Sequence, residues 1–347
     1  MLVTQSLMQR MKSRSTRGEM TGTLFHGDCL LVMKHFPGGI ADLIYADPPF
    51  FSNRRYHIDT DLAFEDVWGG GMRQYIDWIS SVLLECKRVL KSTGSIYIHC
   101  DPHASHYIKV LMDEVFGIGN FVNEIIWKRQ SAHSDARQGA RHFGRVHDTI
   151  LFYSKSKNRI WNTLYLPYDE EYVRRYYNMV EPSTGRRFAL GDLTAPGGAS
   201  KGNPYYELLG LNRYWRFSRE RMKELCRSRR VFVSKPGNVP KLKRYLDEMS
   251  GTPLQDIWVD KESRGYPGQS RRYPTQKPES LTSRIIQVSS NPGSVVLDPF
   301  CGSGTALVSA HRLHRPWIGI DISRTALAIA KDRLRKEGAV VAVRRLR

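Results

Sequence analysis

The stretch Val295-Val-Leu-Asp-Pro-Phe-Cys-Gly-Ser-Gly-Thr305 decides the fold. Its apolar opening, Val295 to Leu297, reads as a short buried strand that breaks at Asp298-Pro299. Thr305 to Leu313 then carries helical periodicity. The glycines in between let the backbone approach a ligand closely, and a helix N-terminus favours an anionic group such as a carboxylate. The turn lacks the Gly-Lys-Ser/Thr ending of a P-loop and does not match the dinucleotide Gly-x-Gly-x-x-Gly. Taken alone, it is also what a tight strand-to-helix turn with no ligand looks like. The next strand, Trp317 to Ile320, ends at Asp321. An acidic residue roughly twenty positions after a glycine-rich turn is placed to bind ribose hydroxyls. Together these features predict a nucleoside-bearing cofactor across the ends of parallel strands.

Working outward, Ser323 to Lys336 and Leu281 to Ser289 read as further helices. The N-terminal part repeats the alternation. Thr23–His26 reads as a strand and 30–36 as a helix. Asp42–Ala46 is a buried strand, and 51–71 a polar loop. Met72–Leu90 has apolar residues three and four apart, the mark of a core-facing helix. A strand at Ser95–Cys100, a helix at His103–Phe116 and strands at Phe121–Trp127 and Asp148–Tyr153 follow. Residues 156 to 272 break the pattern: they are rich in Arg, Tyr, Trp and Gly, with weak periodicity. The expected organisation is a basic tail (1–20), an α/β part (21–155), an inserted module (156–272) and a second α/β part (273–347). Both α/β parts would build one doubly wound sheet.

The strand at Asp42–Ala46 stops at Asp47-Pro48-Pro49-Phe50. Open α/β sheets bind ligands at the carboxyl ends of their strands. The prolines fix the backbone and remove two donors, which leaves a carboxylate and a bare carbonyl, both acceptors. Two acceptors suit an amino group with two hydrogens, and Phe50 offers a face for a stacked base. On these residues alone, a rigid turn capped by an aspartate explains the string equally well.

Taken together, the motifs resemble those of the amino-directed DNA methyltransferases. Asp47-Pro-Pro-Phe50 is similar to the family's catalytic motif IV, and Asp298-Pro-Phe-Cys-Gly-Ser-Gly304 to its cofactor motif I. Catalytic motif first and cofactor motif last is the order of the circularly permuted beta class. Pro274-Thr-Gln-Lys-Pro278 resembles motif X, and Phe25-His-Gly-Asp-Cys29 the segment that meets the cofactor's adenine. The resemblance implies S-adenosylmethionine as cofactor and a mainly parallel seven-stranded sheet. Methyl transfer to N6 of a flipped adenine in duplex DNA is the implied reaction. It casts Asp47 and the Pro48 carbonyl, with Pro49, as holders of the target amine, and Phe50 as the stacking face. Asp298, Phe300, Gly302 and Gly304 would line the methionine part of the cofactor, with Lys277 near its carboxylate and Thr275 beside it. Asp321 would bind the ribose, and Asp28 with the Cys29 backbone would read the adenine edge. The insert falls where the family keeps its target-recognition domain, so Arg213, Arg216, Arg219 and Arg221, with Arg54 and Arg55 in the 51–71 loop, are the expected DNA contacts. A cytoplasmic, nucleoid-associated enzyme is implied, with a cognate restriction endonuclease and a homodimer left open as partners. Rival activities are N4-cytosine methylation, RNA or protein-amide methylation, and a non-catalytic DNA-binding regulator on the same fold.

Composition bounds these readings. The 347 residues carry 53 Lys and Arg against 34 Asp and Glu, a formal charge of +19. Such an excess suits a polyanion, nucleic acid or an acidic membrane surface. The basic start, Met1 to Gly18, lacks the apolar core of a secretory signal, and no apolar run is long enough to span a bilayer. Five scattered cysteines form no Cys-x-x-Cys, which argues against a disulfide framework or a cysteine zinc site. His99, Cys100, Asp101, His103 and His106 fit no zinc spacing closely, so they read as structural and no metal is expected. The Arg-rich insert, interleaved with Tyr205, Tyr206, Tyr214 and Trp215, reads as a phosphate-and-base surface.

Overall fold

Alternating strands and helices dominate both ends of the chain. The computed structural model describes residues 21–52, 54–58, 61–129, 139, 141–259 and 276–345. In the first part these are β1 (Thr21–His26), α1 (Cys29–Lys34), β2 (Ala41–Ala46), β3 (Arg54–Ile58), β4 (Asp61–Asp66), α2 (Gly71–Val89), β5 (Leu90–Cys100), α3 (Ser105–Phe116), β6 (Phe121–Lys128) and β7 (His147–Ser154). The middle block contributes β8 (Tyr165–Leu166), α4 (Glu170–Tyr176), β9 (Met179–Val180), β10 (Arg187–Asp192), β11 (Tyr205–Leu208), β12 (Leu211–Tyr214), α5 (Arg219–Arg227), β13 (Val231–Phe232), β14 (Lys241–Tyr245) and β15 (Thr252–Pro253). The last part adds β16 (Ile257–Trp258), α6 (Glu279–Ser289), β17 (Val296–Asp298), α7 (Thr305–Arg312), β18 (Trp317–Asp321), α8 (Arg324–Lys336) and β19 (Val340–Arg345).

Both end parts interleave in one sheet, ordered β16-β6-β7-β5-β2-β17-β18-β1-β19. Only β7 runs antiparallel to its neighbours; every other pairing in the sheet is parallel. Among the described residues the sheet therefore has nine strands, not the seven expected. Seven form the body from β6 to β1, and β16 and β19 extend its two edges. Neither edge strand carries a buried apolar run: β16 has two residues, and β19 exposes Val340 and Val343. Helices cover both faces. Ile79, Leu83 and Cys86 of α2 lie on its apolar stripe, and they share one core with Ile44, Ile96, Ile98, Leu297, Ile318 and Ile320. Alternate residues face the other way: Tyr97 donates or accepts a 2.7 Å bond with Ser289 of α6, and Gly319 lies against Leu307 of α7.

The segment 51–71, expected as a polar loop, holds the antiparallel hairpin β3–β4, with Tyr56 opposite Phe64. Its alternation of Tyr56, Ile58, Leu62 and Phe64 was hidden among charged residues.

A second compact unit spans Tyr165–Leu254. It is not irregular: a four-stranded antiparallel sheet, β13-β14-β10-β9, stands beside the hairpin β11–β12 and the pair β8–β15. Strands of two to six residues are too short to print a period on the sequence. Leu209 and Gly210 link β11 to β12 with positive φ at both positions, the primed turn that suits strand twist. Leu193, Tyr206, Trp215, Met222 and Leu225 form the unit's core. Trp215 is fully buried and donates from Nε1 to the Tyr206 carbonyl at 2.8 Å. Tyr206 and Trp215 are thus packing residues, not part of an exposed base-contacting surface.

Many of the block's cations are paired within the unit. Arg186 reaches Asp247 at 2.7–2.8 Å and Glu248 at 2.7 Å, and Arg230 also holds Glu248. Both guanidinium groups lie over the Tyr245 ring, at 3.9 and 5.0 Å. Bonds from Arg230, then Arg186, bring the Glu248 carboxyl down to about 2 from its usual 4.5. A lowered carboxyl stabilises the fold above its unfolded value and loses that contribution as pH falls. The stability gap between wild type and Glu248→Gln, measured by urea unfolding, should therefore be widest above pH 4.5 and shrink toward pH 2. An equal gap at pH 6 and pH 3 would refute the pairing.

Candidate active site

Four adjacent parallel strands end side by side, and an aspartate stands at or just beyond each end. In register, Leu297 of β17 pairs with Ile44 of β2, Asp298 with Gly319 of β18, and Asp321 with His26 of β1. Asp47 follows β2, Asp298 ends β17, Asp321 ends β18 and Asp28 follows β1. At the opposite end of β2, buried Asp42 locks the register: its Oδ2 accepts from the Val295 N–H at 2.8 Å and from Lys91 Nζ at 2.7 Å.

The strand ends open into a cavity of about 290 Å3, at the low end of ligand pockets, which run to roughly 300–1,000 Å3. Asp28, Cys29, Asp47, Pro48, Pro49, Phe50, Lys277, Asp298, Phe300, Gly302 and Asp321 all line it. Gly304 does not. It caps α7 with φ +78°, and a Cβ there would meet the Ala330 Cβ of α8 at 2.9 Å, so glycine serves helix packing. Thr275 and Pro274 lie outside the described residues.

At the glycine-rich turn, backbone N–H groups converge on two carboxylates. Gly302 donates to Asp321 Oδ2 at 2.7 Å, Ser323 to Asp321 Oδ1 at 2.8 Å, and Phe300 to Asp298 Oδ1 at 3.0 Å. Burial pushes both carboxyls up, Asp298 well above the usual range, because desolvation outweighs these bonds. Asp28 caps α1, accepting from the Leu31 N–H at 3.1 Å. Beside it, burial and then the Asp28 charge push the Cys29 thiol up to about 12, so it is inert as a nucleophile.

The loop after Asp47 is held by a residue that motif reading misses. Asp66, buried at the end of β4, accepts from the N–H groups of Phe50 (3.0 Å), Phe51 (3.0 Å) and Ser52 (2.6 Å), and from Trp68 Nε1 (3.0 Å). Tyr75 of α2 donates to the Pro49 carbonyl at 2.9 Å. These bonds hold Phe51 at φ 60°, where a side chain costs about 1–2 kcal/mol. Trp68 and Trp78 wall the cavity, and Trp78 meets the Phe300 ring at 5.8 Å.

Lys277 closes the geometry. Its Nζ lies 2.8 and 2.6 Å from the two Asp47 oxygens, and 4.8 Å from the Phe50 ring centroid. Phe50 in turn stacks on His99 at 5.5 Å. His99 is fully buried, with Nε2 3.1 Å from Asp148 and Nδ1 3.2 Å from the Tyr45 hydroxyl. Burial raises the Asp148 carboxyl, but the His99 bond and charge, with Lys277 and Arg129, outweigh it and hold it low. An ionised carboxylate only accepts, so Nε2–H donates and Nδ1 faces Tyr45. His99 therefore supports the aromatic floor of the site; among the described residues, no cluster of His, Cys, Asp or Glu could hold a metal.

The described cavity lining includes none of the predicted arginines. Arg213, Arg216, Arg219 and Arg221 belong to the second unit. Arg216 donates to the Thr194 carbonyl at 3.0 Å, Arg219 lies over the Tyr206 ring and Arg221 pairs with Glu224 at 2.5 Å. Arg54 and Arg55 sit on β3, with Arg55 exposed. No helix among the described residues is long and apolar enough to cross a membrane.

The profile of the N6/N4 DNA methylases matches residues 41–332, which takes in both the Asp47 loop and the glycine-rich turn. The chain belongs to the DNA methylase family. The type II methyltransferase M.EcaI of Enterobacter cloacae is 34% identical over 82% of this chain, which spans 63% of that protein's length. The DNA adenine methyltransferase YhdJ of Escherichia coli is 29% identical, over 91% of this chain and 84% of its own. Among solved structures, the PvuII DNA methyltransferase, cytosine-N4-specific, shares the fold with a TM-score of 0.54, at 14% identity over 91% of this chain and 86% of that one. The Thermus thermophilus protein TTHA0409 complexed with S-adenosyl-L-methionine gives 0.50, at 17% identity over 94% and 100%.

The carboxylate of Asp66 sets the shape of the loop after Asp47. Asp66→Ala should destabilise the fold by about 2–4 kcal/mol in urea unfolding, since four donors lose a charged acceptor. Asp66→Asn should retain part of that stability. A loss under about 0.5 kcal/mol in Asp66→Ala would mean that the loop is held from elsewhere.

Proposed function

We propose that this chain is an S-adenosylmethionine-dependent DNA methyltransferase that modifies N6 of an adenine flipped out of duplex DNA. The observation that carries the reading is the shared cavity: Asp47 and Phe50 at one strand end, the glycine-rich turn on the next strand and Asp321 on the one beyond it. The lining suits the cofactor. Asp28, Asp47, Asp298 and Asp321 face a ligand that is cationic at sulfur and at its ammonium, and Lys277, the one cationic lining residue among those described, can meet its carboxylate. S-adenosylmethionine, when bound, supplies the activated methyl group.

The chain's own residues do the rest. Gly302 lets the backbone approach the methionine part, beside Asp298 and Phe300. Asp321 and Asp28, with the Cys29 backbone, are the acceptors for ribose and adenine. The Asp47 carboxylate and the Pro48 carbonyl accept the two amine hydrogens, which aims the nitrogen lone pair out of the ring plane. Phe50 stacks on the base, on a floor stiffened by His99. Asp47 is then placed to take the proton that the methylated amine must lose. The insert 156–272 would read the target, with Arg213, Arg216, Arg219 and Arg221 on phosphates, and Arg54 and Arg55 beside the flipped base. The same reading places the protein in the cytoplasm on the chromosome, in a restriction-modification context. N4 of cytosine is the second reading, favoured by the PvuII likeness.

Sequencing of modified bases in DNA from cells expressing the chain should reveal N6-methyladenine at one short sequence. Asp47→Ala should abolish it while the cofactor, followed by calorimetry, still binds at least as tightly as to the wild type. N4-methylcytosine would establish the second reading, and no modified base in any duplex would end the proposal. Replacing Arg213, Arg216, Arg219 and Arg221 together by Gln should flatten the salt dependence of DNA binding by about 0.9 per lost phosphate contact. An unchanged slope would move the contacts off this cluster.

A further inference from the structure

One ammonium occupies both places that the target base needs. Lys277 Nζ holds the two Asp47 oxygens, at 2.8 and 2.6 Å, and stands over the Phe50 ring at 4.8 Å. The pair is nearly enclosed, with 12% and 19% of the two side chains exposed, so salt screens it weakly. An amine arriving at Asp47 meets a carboxylate already filled, and a base arriving at Phe50 meets a charged group on the ring. Pro278, the N-cap of α6, restricts the Lys277 backbone to extended conformations, so a change of partner falls to its flexible side chain. A carboxylate delivered into the same cavity would compete for that ammonium.

We propose that Lys277 is a latch between the two ligands: the cofactor's carboxylate draws its ammonium off Asp47 and Phe50, and the target amine docks only then. This rests on the function proposed above. It couples two sites that share no direct contact through one side chain with two partners. Coupling of this kind is reciprocal, so the captured amine must also tighten the cofactor. Because the demethylated cofactor keeps its carboxylate, the latch stays open until that product leaves.

The test reads the amine's own contribution to binding. Two duplexes carry the methylated sequence, with adenine or with purine, which has hydrogen in place of the amine, at the target position. An abasic site opposite removes any difference in pairing. For the wild type, the preference for adenine over purine should be near one without cofactor. It should rise about fivefold or more with S-adenosylhomocysteine, and stay near one with decarboxylated S-adenosylhomocysteine. Lys277→Met should show the preference with no cofactor present. The wild-type comparison stands even if that variant fails to fold. An adenine preference that is already full without cofactor, or that the decarboxylated compound raises equally, overturns the latch. Absence of any methylated sequence would instead strike the proposed function, so the two failures are distinct.

Discussion

Parallel pairing of β2, β17, β18 and β1 brings four carboxyl ends into a row, and with them Asp47, Asp298, Asp321 and Asp28. Four acidic groups around one cavity would repel, and burial makes Asp298 and Asp321 more costly to ionise. Each is answered differently. Asp28 caps a helix, Asp321 gathers two backbone N–H groups, and Asp298 takes one. These partners are part of the framework and cannot leave. Asp47 alone is answered by a side chain on a flexible stem. The same sheet geometry thus fixes three carboxylates and leaves the fourth able to change partner.

The aromatic side of the site follows a parallel logic. A fifth carboxylate, Asp66, gathers three successive N–H groups of the loop after Asp47 and an indole N–H. That convergence sustains Phe51 in a backbone region which a phenylalanine does not choose by itself. Beneath Phe50, Tyr45 and Asp148 hold the two nitrogens of His99, at 3.2 and 3.1 Å, and so fix the plane of the ring that Phe50 stacks on. Rigid walls around one exchangeable contact is the design that a positioning site requires.

The sheet body was legible because its strands are short apolar runs that end in punctuation, and its helices carry clear apolar stripes. Asp298, Asp321 and Asp47 were legible as motif residues because each ends a strand. Asp66 was not, since it lies sixteen residues from the loop it holds and looks like surface charge in a polar stretch. Nor was the work of His99, which read as structural with nothing to show that it supports Phe50. In the middle block, strands of two to six residues leave no period, so Trp215 and Tyr206 read as exposed aromatics although they are the core. Arg186, Arg230 and Lys243 belong to the basic run that read as a phosphate-and-base surface, and their acidic partners are distant in sequence. Long-range pairing of this kind has no local signature.

The strand order also governs how the protein is made. β1 and β2 emerge early from the ribosome, yet they are not neighbours, because β17 and β18 belong between them. About 250 residues separate the end of β2 from the start of β17. At about 5–20 residues per second, that interval lasts roughly 10–50 s. Throughout it, the fully buried β2 has an open edge, and the apolar faces of α1 and α2 lack half their partners. The nascent chain is thus an unfinished sheet with a gap at its centre, a natural client for chaperones. The same gap makes the finished protein divisible: cut within its middle block, it yields two halves of which neither can close the sheet alone.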